Sequence, residues 1–236
     1  MAARRAGGGA PGRSGHILES FTRRVAESGY DGTNFSDIAA ELGISKGTIV
    51  HHYGTKDRLL AALHESYMRR RLAEAYLIVN RLSSPPEQLA GMLFAFVLYQ
   101  EHDRDATVAF QREIARLADH ETMSEGVRLR GEYLGLVRDI LRKGTEGGQF
   151  REGDPNLQSL LMMGSAQWAW TWFDPSGPHT AEEVGASLVD MVLGGLLTRP
   201  GTASGLADLH GAVLKIVRSC LADAAAPGEA PSTPAP

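Results

Sequence analysis

Residues 34–53, NFSDIAAELGISKGTIVHHY, constrain this 236-residue chain more than any other stretch. They read as two short helices joined by a tight turn. Asn34 caps the first helix, and Asp37 at its third position returns the bond as in a capping box. Ile38, Ala39 and Leu42 recur at helical spacing and give that helix one apolar face. Gly43 ends it, because glycine enters the left-handed conformation without a Cβ penalty. Ile44 plugs the turn, Ser45 caps the second helix, Ile49 anchors it, and the small Ala39 lets the two helices cross closely. The outer face of the second helix then carries Lys46, Gly47, Thr48, Val50, His51 and His52. Small, polar and cationic, this set suits DNA base edges and phosphates.

The rest of the chain is predicted to be all-α. Long runs lack alternating β-branched residues, and apolar residues recur at helical spacing. A first helix over about 16–28 puts Ile17, Leu18, Phe21 and Val25 on one face, packed on the two short helices. A long helix over about 56–82 follows, with Thr55 as cap and Pro85-Pro86 beyond its stop. Further helices are expected at about 86–101, 105–118, 121–145, 155–173, 180–197 and 204–222. These elements divide the chain into a disordered arm (1–13), a DNA-reading unit (14–55), a body (56–223) and a Pro/Ala-rich disordered tail (224–236). Arg69, Arg70 and Arg71 are expected on a solvated face, and His64 and Glu65 on the helix surface. Asp119, His120 and Glu121 read as a polar turn.

Charge is uneven. Residues 1–71 hold eleven basic side chains against seven acidic ones, whereas the whole chain carries −4, so the body is acidic. That asymmetry suits a protein touching DNA with one end. Cys220 is the single cysteine and no apolar run spans a bilayer, which places the chain in the reducing cytoplasm, at the nucleoid, with no membrane partner. His51 and His52 point about 100° apart on a helix and cannot jointly face one ion, so neither a metal nor another cofactor is expected. No paired carboxylates, nucleophile elbow or phosphate loop point to an enzyme.

The segment GYDGTNFSDIAAELGISKGTIVHHYGTKDRLLAAL resembles the N-terminal domain of the TetR family of bacterial transcriptional regulators, closely over about residues 16–64. That resemblance implies a homodimer, with each subunit offering one helix to a half-site of a palindromic operator in double-stranded DNA. It implies base contacts from Lys46, Gly47, Thr48, Val50 and His51, and phosphate contacts from Thr33, His52, Tyr53 and Lys56. Val50 departs from the family, in which many members carry Tyr there, and suggests an apolar contact to a thymine methyl. Phe21 and Val25 look like an exchange of the family's small-then-Phe order.

In the body, LQSLLMMGSAQWAWTWFDPSGPHTAEEVGASLVDMVLGGLL gives two helices apolar on more than one face, which calls for a partner as well as a core. The expected outcome is a four-helix dimer interface including Leu161, Gly164, Ser165, Trp172, Leu188, Met191 and Gly195. Candidate ligand contacts are Phe94, Tyr99, Phe110, Gln111, Arg112, Gln167 and Trp168, with Arg112 facing an anionic part; the polar ones either orient a ligand or face water. The patterns GQFREGDP and WFDPSGP resemble a branch of the family whose members answer to acyl-CoA or steroid-CoA thioesters. The expectation is a repressor released by a hydrophobic small molecule such as an acyl-CoA. The competing readings are a sensor of lipophilic cations or antibiotics in the same family, and a helical scaffold without DNA binding.

Overall fold

The computed structural model describes residues 12–118 and 121–225. Residues 1–11 of the expected arm, Asp119 and His120 of the expected turn, and residues 226–236 of the expected tail lie outside the described residues. The described elements are α1 (Arg13–Gly32), α2 (Phe35–Leu42), α3 (Lys46–Tyr53), α4 (Lys56–Arg81), α5 (Pro85–His102), α6 (Arg104–Glu113), α7 (Ser124–Glu146), α8 (Pro155–Gln167), α9 (Ala181–Leu196), α10 (Ala203–Leu206) and α11 (Ala212–Ala225). The chain is all-α. Among the described residues the one β feature is an antiparallel bridge between Phe150 and Leu197.

Caps set most of the helix starts. The Asn34 side chain accepts from the N–H groups of Ser36 and Asp37 at 2.9 and 3.0 Å. Asp37 does not return the bond to the backbone; it accepts from the Asn34 side-chain amide at 2.8 Å, so the capping box is replaced by a side-chain pair. Ser45 caps α3, Thr55 caps α4, and Ser84 and Thr180 open α5 and α9 with full capping boxes. Gly43 closes α2 at φ +62°, the conformation that required glycine there.

Five expected helices came out differently; the one expected over 105–118 is 3-10 from Ile114 to Ala118, and the one over 121–145 opens with a 3-10 turn at Glu121–Met123. Arg13, expected in the arm, begins α1, and Gly29 interrupts that helix at φ +74° before a last turn to Gly32. The helix expected over 155–173 stops at Gln167 and tightens into a 3-10 turn at Trp168–Thr171. The stretch expected as one helix over 204–222 is broken between α10 and α11, where Asp208 accepts backbone bonds from His210 and Gly211.

The core is continuous. Ile17, Phe21 and Val25 of α1, Ile38 of α2 and Ile49 of α3 are fully buried and join Leu59, Leu60 and Leu63 at the start of α4. The DNA-reading unit therefore shares α4 with the body. There α5 is the central helix, buried from Leu89 to Gln100 and packed by α4, α7, α9 and α11. Along α4 the residues at 60, 64, 67, 71, 74 and 78 form a buried stripe. His64, Arg71 and Glu74 lie on it, which corrects the surface placement expected for His64 and Arg71. Burial holds His64 down at about 4, so its ring is neutral near pH 7. Glu65, Arg69 and Arg70 do reach solvent.

Candidate nucleic-acid interface

With Ile49 buried, α3 turns its remaining residues outward. Lys46, Gly47, Val50, His51 and His52 are exposed, and Thr48 is partly exposed. The Ser45 hydroxyl accepts from the Thr48 N–H at 3.1 Å, and the two hydroxyls lie 2.9 Å apart. Two turns of α3 thus carry an ammonium, a hydroxyl, a bare backbone and two imidazoles on a capped helix.

The flanking residues act differently from one another. Tyr53 is half-buried and donates its hydroxyl to the Ser14 carbonyl at 2.8 Å, tying the end of α3 to the start of α1. Thr33 is buried; its hydroxyl donates to the Gly29 carbonyl at 2.9 Å and its N–H to the Tyr30 carbonyl at 3.1 Å. Both of its donors are committed to closing α1, so the phosphate contact expected of its side chain has no free donor. Lys56 holds its Nζ 4.1 Å above the Tyr30 ring, and a phosphate would have to draw it off that ring.

Behind this surface, α1 is clamped to α6. Arg112 donates to the carbonyls of Ala26 and Glu27 at 2.8 and 3.3 Å, while the Tyr30 N–H donates to Glu113 at 2.9 Å. Arg116 bridges Asp31 and Glu113 at 2.7 and 2.8 Å. The Tyr30 hydroxyl donates to Asp57, joining the start of α4 to the same knot. Arg112 therefore faces the DNA-reading unit, which corrects its expected place in a ligand pocket.

The other side of α6 faces a cavity of about 20 Å³ in the body. Tyr67, Met68 and Arg71 of α4, Phe96 of α5, Phe110 and Gln111 of α6, Arg130 and Tyr133 of α7, and Met163 and Gln167 of α8 line it. The expected Phe110, Gln111 and Gln167 are brought together here, with Phe110 stacked on Tyr67 at 4.4 Å. Phe94 and Tyr99 are buried but do not line it. Tyr99 lies under the Arg71 guanidinium at 3.8 Å. Arg71 was missed, although its place on the 60–64–67–71–74–78 stripe was a readable signal.

Trp168 is 64% exposed and belongs to a surface stripe instead of the cavity. With Leu157, Leu160, Leu161 and Gly164 it recurs at helical spacing along α8; Met191 of α9 is equally open at 65%, and Trp172 is exposed beyond the 3-10 turn. Gly164 and Gly195, both exposed, meet no atom that an added Cβ would touch. The exposed Ser165 turns its hydroxyl back to the Met162 carbonyl at 2.8 Å. Leu188 departs from the expected interface: it is buried in the subunit's own core.

Comparison with known proteins bears on both halves. Residues 17–63 match the family model for bacterial regulatory proteins of the tetR family, and residues 82–196 match a tetracyclin repressor-like C-terminal domain. The transcriptional repressor KstR2 of Mycobacterium tuberculosis is 30% identical over 78% of this chain and 92% of its own length. The solved structure of that ketosteroid transcriptional regulator superposes with a TM-score of 0.73 at 30% identity, over 83% of this chain and all of that one. AibR, solved in complex with isovaleryl coenzyme A and operator DNA, gives 0.69 at 25% identity over 78% of this chain and 98% of AibR. A capped two-helix reader on an all-α body, matched along both parts, leads to one assignment: the chain belongs to the TetR family of bacterial transcriptional regulators and is a DNA-binding regulator, not an enzyme.

Proposed function

We propose that this regulator is a homodimeric repressor that binds a palindromic operator in the cytoplasm and releases it when a hydrophobic small molecule, such as an acyl-CoA thioester, enters the body. The observation that carries the reading is the exposed face of α3 on its buried Ile49 anchor, with Lys46 and Thr48 at its base-reading end. The ammonium of Lys46 donates to guanine acceptors, the methyls of Val50 and Thr48 meet thymine, and His51 and His52 reach neighbouring bases and backbone.

Dimerisation rests on the apolar stripe of α8 and α9. Leu157, Leu161 and Trp168 along α8, Trp172 beyond it and Met191 on α9 are large apolar side chains left exposed, the kind of surface that marks an interaction site. An isologous contact through it makes a four-helix interface and sets two copies of α3 on one DNA face. Release follows from the shared helix α6: Phe110 and Gln111 touch the cavity, and the adjoining Arg112 and Glu113 hold the end of α1. A ligand that moves α6 changes the spacing of the two readers by as much as its differential affinity allows. AibR, a relative that carries both isovaleryl coenzyme A and operator DNA, supports the acyl-CoA class.

The test is fluorescence anisotropy of the purified protein on DNA flanking its own gene, with and without a panel of acyl-CoAs. Tight binding relieved by an acyl-CoA is expected. The Lys46→Ala/Thr48→Ala variant is expected to lose operator affinity about a hundredfold or more, with secondary structure unchanged. Unchanged affinity in that variant rules out α3 as the reader.

A further inference from the structure

Two small cavities in the body share a wall. The first, about 20 Å³, carries the polar side chains of Arg71, Gln111, Arg130 and Gln167. The second, about 10 Å³, is lined only by apolar residues, among them Leu89, Met92, Val137 and Met162. Phe96 and Met163 line both. Neither cavity holds more than about one water molecule. Met163 is the flexible part of the shared wall, because methionine has three rotatable bonds and repacks at little cost. Together the two are polar at the first cavity, where α4, α6, α7 and α8 each supply one of those polar side chains, and apolar at the second, between α5, α7 and α8.

Its polar end has donors to spare. Arg71 is 3% exposed; its Nη2 donates to Glu74 and Asp103, each at 3.1 Å, and among the described residues its Nη1 has no partner. The Nε of Arg130, on the same cavity, is also without one. Guanidinium groups have no acceptor to offer one another, so an oxygen entering the cavity meets two open donors. Arg70 also binds Asp103, at 2.8 Å. Two guanidinium groups and no carboxylate line this cavity, and burial pushes Glu74, the carboxylate beside Arg71, up to about 7.

We propose that the effector is an amphiphile whose oxygen-bearing end, a carboxylate or carbonyl, accepts from Arg71 and Arg130, while its hydrocarbon end fills the methionine-lined chamber. The surplus positive charge excludes lipophilic cations. The orientation places the effector's polar end against Gln111, one residue from the Arg112 clamp on α1. This inference rests on the reading of the body as an effector site.

Calorimetric titration of the full-length protein with decanoate, decan-1-ol and decyltrimethylammonium tests it, since the three share a chain and differ in the head. Decanoate is expected to bind once per subunit and about tenfold or more tighter than decan-1-ol, and the ammonium is expected not to saturate. Arg71→Lys keeps a charge beside Glu74 and Asp103, and Arg130→Met strands no buried partner. Each is expected to weaken decanoate about tenfold and to leave decan-1-ol unchanged. Equal binding of the ammonium, indifference of decanoate to both variants, or binding of none of the three overturns the proposal. Operator affinity of the unliganded protein, measured in parallel, keeps the two readings apart. Tight operator binding without a preference for decanoate sinks this inference alone. Loss of operator binding sinks the repressor reading and leaves the ligand chemistry standing.

Discussion

The DNA-reading unit and the body spend polar chemistry in opposite ways. In the first, α1, α2 and α3 bury an almost wholly apolar set, Ile17, Phe21, Val25, Ile38 and Ile49, and the polar side chains of α3 from Lys46 to His52 reach solvent. In the body the polar chemistry is inside: His64, Arg71, Glu74, Gln100 and Gln111 are buried among aromatic and methionine side chains. A DNA reader meets its ligand at the surface, so its stability and its recognition are carried by different residues. An effector site meets its ligand in the core, so the same residues serve both.

The largest effects expected test that separation. Phe21→Ala removes a fully buried ring from the small core of the reader and is expected to cost about 3–5 kcal/mol. Arg71→Ala is expected to cost a similar 3–5 kcal/mol for a different reason: it strands the buried Glu74 without its partner, whereas Asp103 keeps Arg70. Urea unfolding distinguishes them when Glu74→Leu is added to Arg71→Met. Replacing the pair by apolar residues is expected to be close to neutral, whereas no charge change rescues Phe21→Ala. If the paired replacement is as damaging as Arg71→Ala, the buried ion pair contributes stability and is not merely tolerated.

The next effect is a pH dependence confined to the body. His64 is fully buried, packs 5.0 Å from Phe110, and has no partner for either ring nitrogen among the described residues. Burial lowers its folded value to about 4, below the unfolded value of 6.5. Between those values the unfolded chain binds the extra proton, so the His64 contribution to stability rises with pH across that window, while Glu74, raised from 4.5 to about 7, contributes in the opposite sense. The contribution is complete above 6.5 and is lost as pH falls towards 4, by about 3 kcal/mol. The expected result is that the stability difference between His64→Leu and the wild type changes by about 3 kcal/mol between pH 6.5 and 4, the variant losing less as pH falls. A profile identical to that of the wild type would mean the ring is hydrated in the folded protein.

The same contrast explains what could be read in advance. The reader was legible because its signals are local: Asn34, Gly43, Ser45 and Ile49 lie within sixteen residues, and each acts on its own turn. The cavity draws its walls from five helices, and which face of α6 looks inward is decided by packing against α1. Phe110 and Gln111 were therefore assigned to the cavity together with Arg112, which lies one step round the helix and points to α1. Along α8 the Leu157–Leu161–Gly164–Trp168 spacing was readable. The tightening after Gln167, however, separates Trp172 from the helix face that a continuous α-helix would have given it. Arg71 was misplaced because a run of three arginines reads as surface, although its phase with Tyr67 and Ile78 put it in the core.

The smallest effect sharpens the comparison most finely, because it applies one chemical change to both regions. Asn34 accepts from two N–H groups at the start of the eight-residue α2, and Thr180 accepts from the Glu183 N–H at 3.2 Å at the start of the sixteen-residue α9. Replacing either by Ala is expected to cost about 1 kcal/mol. The cost should surface in different places. Helix α2 is too short to persist without its cap, so Asn34→Ala is expected to open locally, with faster amide exchange at Ile38 and Ala39 and weaker operator binding. Helix α9 packs along the central α5, so Thr180→Ala is expected to lower the global unfolding free energy and leave exchange in α9 tied to global unfolding. Local opening in α9 equal to that in α2 would mean that the body, too, is held together turn by turn, and that its buried polar groups do not make it one cooperative unit.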